Sequence, residues 1–208
     1  MKYPNVNAGQ TEAMINCLGG KEMMRLFLAG QLQVVPRILL NAWKTITLIP
    51  GLDALDICRS LEEHGYSLFG VASEMLEHPD CKALDHPAQI DLVTITGEEM
   101  GLSRSGNRCK YVLSEIYARA QRFGLVPCPA QTGPQLIIQE ALVLTENICV
   151  AIEPLKIGNR EGASFIWQLF RSRNYASNLL ASCGAAPNDG FRLETRWIFA
   201  RGKREDGR

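Results

Sequence analysis

KYVLSEIYARAQRFGLVPCPAQTGP, residues 110–134, decides how this chain reads. Val112, Leu113, Ile116, Tyr117, Ala120 and Phe123 recur at helical spacing, so one apolar face predicts a helix over residues 110–123. Gly124 stands at the C′ position with Leu125 beyond it, the pattern of a helix closed by a left-handed glycine. Pro127, Cys128 and Pro129, then Gly133 and Pro134, bracket a rigid loop. Past that loop the period changes from helical to alternating, and strands are expected over residues 136–139, 148–152, 165–170 and 193–200. In the last of these, Leu193, Thr195, Trp197 and Phe199 fall on one face. Residues 175–182 suit helix or strand equally.

Upstream of this stretch, the pattern is mixed. Thr11 can cap a helix over residues 12–18, and residues 21–29 form a second, apolar on most sides. Residues 42–49 read as a strand ending at Pro50-Gly51. Asp53 opens a helix with Ala54, Leu55, Ile57, Cys58 and Leu61 inward, and Gly65 closes it. A short strand over residues 66–69 and a helix over 71–78 follow, with Pro79 as the stop. Residues 90–95 alternate as a strand, and Thr96 and Glu99 form a capping box at its end. The expected fold is therefore α+β: a helical N-terminal segment and a strand–helix–strand–helix unit, followed by a mainly antiparallel C-terminal sheet. A single domain over 1–208 is expected, with sub-domains 1–100 and 101–208 as the variant. A boundary fits either residues 31–41 or residues 101–109.

Composition narrows the class. With 208 residues, 46% hydrophobic and 21% charged, the chain can bury a core without disulfides or metal. No run approaches the roughly 20 apolar residues of a membrane span. Met1-Lys2-Tyr3-Pro4-Asn5 carries no charged region followed by an apolar run, so a cytoplasmic location and no membrane partner are expected. Seven widely spaced cysteines without a CxxC pair do not read as a disulfide framework. Net charge is zero but uneven: +3 over residues 1–50, −9 over 51–100 and +6 over 101–208. The basic part either dilutes over a solvated surface or faces a phosphate-bearing partner.

Four groups of residues carry chemistry worth weighing. Cys128 is a thiol held between two prolines, and Glu153 is a carboxylate at a strand end beside Pro154. Together they would serve a small thiol- or carboxylate-based hydrolase, although Cys128 equally reads as a buried filler in a proline-shaped loop. His78, Cys81 and His86 are metal-ligand types, but their spacing matches no zinc motif and no metal site is expected. Residues 97–123 suggest a helix-turn-helix, with Arg104, Arg108, Lys110, Arg119 and Arg122 against Glu115 alone. The connection is longer than that motif uses, and a capped helix pair packed on the sheet is the plainer reading. Arg196 and Arg201 lie on the aromatic C-terminal strand, which could hold phosphates or could simply have one solvated face. Walker A, GxGxxG, HExxH and GxSxG patterns are absent, and all three histidines fall within residues 64–86. No cofactor is expected.

Residues 113–134, LSEIYARAQRFGLVPCPAQTGP, resemble a pattern in bacterial proteins of unassigned function, in which EIYARA…GL runs into CPA…GP. Val150-Ala151-Ile152-Glu153-Pro154 and the aromatic strand around Trp197 are similar to later parts of that pattern. Residues 57–79 resemble a helix–strand–helix module of related proteins. The resemblance implies no activity or site residue. One position departs from it: the pattern has an acidic residue after CPA, and Gln131 stands there. The function expected is a non-enzymatic bacterial binding or regulatory protein, with nucleic acid the first partner to test. The alternatives are the hydrolase built on Cys128 and Glu153, and a structural subunit of a larger assembly or homo-oligomer.

Overall fold

The computed structural model describes residues 7–17, 20–29, 40–103, 110–140, 146–158, 163–171 and 178–202. The expectations at Arg104 and Arg108, most of the boundary expected over residues 31–41 and the first part of residues 175–182 lie outside these. The chain divides into two compact units, Met1–Ile38 and Leu39–Arg208.

The first unit holds α1 (Ala8–Cys17) and α2 (Lys21–Leu28), which contact each other. The cap of α1 is Asn7 rather than the expected Thr11. Asn7 Oδ1 accepts from the Gln10 amide at 2.9 Å, and Gln10 Oε1 accepts from the Asn7 amide at 3.0 Å. This reciprocal pair satisfies two helix-end donors, so the helix starts four residues earlier. Met23 and Leu28 of α2 are exposed.

The second unit is an α+β fold. Its strand–helix–strand–helix unit is β1 (Lys44–Leu48), α3 (Ala54–Glu63), β2 (Tyr66–Phe69) and α4 (Ala72–Glu77). Gly65, at φ +75°, makes the turn from α3 into β2. Pro79, expected to stop α4, begins a further short helix, α5 (Pro79–Lys82), where its missing N–H costs nothing. β3 (Ala88–Thr96) follows. The capping box forms: the Thr96 amide donates to Glu99 Oε2 at 2.7 Å, and the Glu99 amide donates to Thr96 Oγ1 at 3.2 Å. It closes a turn over residues 97–101 rather than a helix.

Residues 110–112, expected as the first turn of a helix, are β4 (Lys110–Val112). They pair with β9 (Gly190–Arg192), and α6 (Leu113–Gln121) begins only where the Val112 amide donates to Glu115 Oε2 at 3.1 Å. β5 (Leu125–Val126) and α7 (Thr132–Gln139) come next. The helix α7 overturns the extended reading of residues 136–139. A three-residue apolar run has no period of its own, and Gln135 and Gln139, one helical turn apart, are what bind this segment to its neighbour. The chain then runs through β6 (Ile148–Lys156), β7 (Ser164–Arg171), β8 (Asn178–Gly184), β9 and β10 (Arg196–Arg201).

The main sheet has the order β1-β3-β10-β6-β7-β8-β2, with β5 added alongside β10. It is mainly antiparallel; β10 with β6 and β2 with β8 are the parallel pairs. It takes strands from both halves of the sequence, since β3 pairs with β10. Central β10 is buried on both faces, from Trp197 through Ala200. Trp197 and Phe199 share the face covered by α6, where Tyr117 meets them edge-on at 6.5 Å and 5.7 Å. Ile198, Val150 and Trp167 form a row across β10, β6 and β7 on the opposite face, against which α7 packs. Among the described residues, no helix is long and apolar enough to cross a membrane.

Candidate functional site

The site arises where two parallel strands part. β10 and β6 pair through Ile198 and Val150 and then diverge. The segment that follows α6 enters the fork. Leu125 and Val126 pair with Arg201 and Ala200 on one side, and Cys128 bridges to Ile152 on the other. Pro127 and Pro129 have no N–H, so Cys128 brings the one backbone donor of this tripeptide. It donates to the Ala151 carbonyl at 2.6 Å.

A bulge in β6 makes this possible. The register with β7 jumps from Val150↔Trp167 to Leu155↔Phe165, so residues 151–154 leave the ladder. Their freed carbonyls find partners elsewhere: Ala151 accepts from Cys128, and Ile152 accepts from the Tyr117 hydroxyl at 2.6 Å. Glu153 is thereby turned outward and is exposed. Burial, and then the neighbouring Glu153 carboxylate, push the Tyr117 phenol well above its ordinary range, so it stays a donor.

The loop is clamped from beneath as well. Trp167 Nε1 donates to the Ala130 carbonyl at 2.6 Å. Gly133 lies so close to the same ring that a Cβ there would be 2.6 Å from Trp167 Cγ. Residues 128–131 and the bulge, with Asp80, Ala83 and Leu84 at the end of α5, enclose a cleft of about 300 Å³. Cys128, Glu153 and Asp80 all line it.

The thiol in this cleft is not set up as a nucleophile. Cys128 is 4% exposed. Burial pushes its thiol far above the ordinary value, and the Thr132 hydroxyl and Ala200 amide only partly offset this. Sγ lies 3.7 Å from the Ile198 carbonyl, an acceptor suited to the protonated form. Thr132 itself is fully buried, with no hydrogen-bond partner for its hydroxyl among the described residues. The Cys128 thiol is the polar group beside it.

Three of the basic residues of interest are engaged within the chain, two of them at the turn over residues 97–101. Arg119 reaches back to the turn before β4, donating from Nε to the Met100 carbonyl at 2.5 Å and from Nη2 to Gly101 at 3.1 Å. Arg196 donates to Glu146 Oε1 at 2.5 Å and lies 3.9 Å from Glu99. Arg201 donates to the Leu40 carbonyl. Lys110 and Arg122 are exposed, on β4 and past the end of α6. What precedes α6 is a turn and a strand, not the first helix of a helix-turn-helix. His78, Cys81 and His86 do not converge; among the described residues no three His, Cys, Asp or Glu side chains form a metal-sized group. Nδ1 of His78 instead caps α5, accepting from the Asp80 amide at 3.2 Å.

Two contributions escape a reading of the sequence. One is the α5 wall, because nothing in residues 80–84 announces that they meet a loop nearly fifty positions later. The other is Gln131, visible only as a departure from an expected acid; it is 4% exposed and lines the cleft. No family model, curated protein or solved structure matches this chain.

Proposed function

We propose that this protein binds a ligand non-covalently, as a binding or regulatory protein, and that the cleft beside the Pro127–Cys128–Pro129 loop is its recognition site. The observation that carries this reading is a preformed cleft whose loop and bulge are held by hydrogen bonds to the Ala130, Ala151 and Ile152 carbonyls, while the one thiol in it is kept protonated by burial. Rigid, mostly apolar walls with a few placed polar groups suit recognition, because little ordering remains to be done on binding. A hydrolase built on Cys128 would need the thiolate, which the surroundings disfavour. Nucleic acid receives less support than the charge asymmetry suggests: Arg119, Arg196 and Arg201 are engaged within the chain, and carboxylates line the cleft.

Exposed Ala83 gives a clean test, because a large side chain there fills the cleft from its wall. A fragment screen by amide chemical shifts on the full chain should find ligands that move Leu84, Ala130 and Gln131. Ala83→Trp should abolish those shifts, and Cys128→Ala should preserve them. Hits that ignore Ala83→Trp, or binding that requires the Cys128 thiol, would refute the reading.

A further inference from the structure

Resting on that reading, we propose that the cleft selects a cationic hydrogen-bond donor, a primary ammonium or a guanidinium, carried on a short apolar stem. Gln131 is the first reason. It is nearly fully buried at 4% exposure, it lines the cleft, and its carboxamide makes no hydrogen bond among the described residues. Its carboxamide is not among the fully buried unpaired polar groups of the described residues, which belong to Tyr66, Thr132 and Trp197, so it meets the open space of the cleft. The carboxamide offers a ligand an acceptor oxygen beside its two N–H donors, and the charge around it decides which is used.

Charge gives the second reason. Glu153 from the β6 bulge and Asp80 from α5 bring carboxylates to the cleft from two separate elements. Glu153 has no ion-pair partner among the described residues. Asp80 has only His78 Nδ1, at 3.7 Å. The nearest lysine in sequence, Lys82, is held by Glu77 at 2.8 Å and does not neutralise them. Residues 53–85 carry eight acidic and two basic side chains, net −6. That field draws cations toward the cleft and repels carboxylates and phosphates.

The remaining wall is apolar. Ala83, Leu84, Pro129, Ala130 and Leu155 offer surface for a few methylenes but no further charge. About 300 Å³ is at the small end of ligand pockets, which fits one amine-tipped chain better than a nucleotide. Such a chain is found on free alkyl amines and on lysine or arginine side chains of a polypeptide; the chemistry is the same.

The test titrates four probes into the isotope-labelled full chain: n-butylguanidinium, n-butylammonium, n-butanol and butyrate. Both cations should give saturable shifts at Leu84, Ala130 and Gln131, and butyrate none. Exposed Glu153→Gln, which leaves the fold intact, should weaken the cations by about fivefold without affecting butanol. A blocked Ala-Arg-Ala tripeptide distinguishes the sources. Tighter binding than butylguanidinium assigns the site to a polypeptide side chain and equal binding to a free amine, both within the proposal. Butanol or butyrate binding the cleft as well as the cations, or Glu153→Gln leaving cation affinity unchanged, overturns the cation proposal but keeps the ligand-binding reading. Failure of every probe to move a cleft amide overturns both.

Discussion

Gln135 of α7 pairs with Ile49 as a strand would: its Oε1 accepts from the Ile49 amide at 2.7 Å, and its Nε2 donates to the Ile49 carbonyl at 2.8 Å. Gln139 repeats the pattern with Thr47, at 3.0 Å and 2.8 Å. Four residues of helix rise about 6 Å and two residues of strand about 6.8 Å, so the two periods nearly coincide. Just past the helix end, Glu140 forms an ion pair with Lys44 of the same strand. Two side-chain amides thus close the outer edge of β1, which would otherwise present unpaired groups to another chain.

Gln135→Ala should therefore destabilise the fold by about 1–3 kcal/mol, since it leaves two partly buried backbone groups unpaired. Gln139→Ala should cost less, because the Thr47 pair is exposed. Gln135→Glu should cost more than Gln135→Ala: a carboxylate cannot donate to the Ile49 carbonyl and would be buried at a site 1% exposed. Urea unfolding of the three variants gives the order.

Stability should fall in alkali. Burial, then the Asp80 charge, push the Cys81 thiol from 9.0 up to about 12, and burial takes Tyr66 from 10.0 to about 12. Cys128 is raised in the same direction. The native state keeps these protons where the unfolded chain releases them. Their contribution is complete below about pH 9 and is lost as the pH climbs toward 12, by at most about 1.4 kcal/mol per pH unit for each thiol. Unfolding free energies between pH 8 and pH 11 should show this fall, with a shallower slope in Cys81→Ala. Iodoacetamide should label Cys128 in the native protein far more slowly than half-buried Cys58.

Gly133→Ala tests the clamp beneath the cleft. The added methyl meets Trp167 Cγ at 2.6 Å and Cδ1 at 2.8 Å, so ring or helix must shift. A loss of about 1–3 kcal/mol is expected from such overpacking. The tryptophan emission should change as the bond from Trp167 Nε1 to Ala130 is strained. A variant as stable as the parent, with unchanged emission, would show that the clamp is loose.

Much of this architecture was open to reading from residues near one another in the chain. The Thr96–Glu99 box, Gly65 after α3 and the apolar face of α6 act over one or two helical turns, so their pattern survives in the sequence. The errors have an equally physical origin. Residues 110–112 carry the period of the helix they precede, yet β9, some eighty positions away, takes them as a strand. Leu136, Ile137 and Ile138 suit either structure until Gln135 and Gln139 meet the edge of β1. Cys128 and Glu153 stand out by type and by proline neighbours, and they do line one cleft. The burial that holds the Cys128 thiol protonated comes from strands on both sides of it, which no local pattern reports.

The sequence by itself therefore determined the α+β class, most helix and strand positions and the Thr96–Glu99 box, because those depend on backbone preferences and on neighbours a few residues apart. Only the tertiary structure decided the sheet order, the fork between β10 and β6, and the cleft that joins Asp80, Gln131 and Glu153. Those depend on which distant segments share the same buried surface. That choice is made by packing the whole core at once, not by any one stretch of chain.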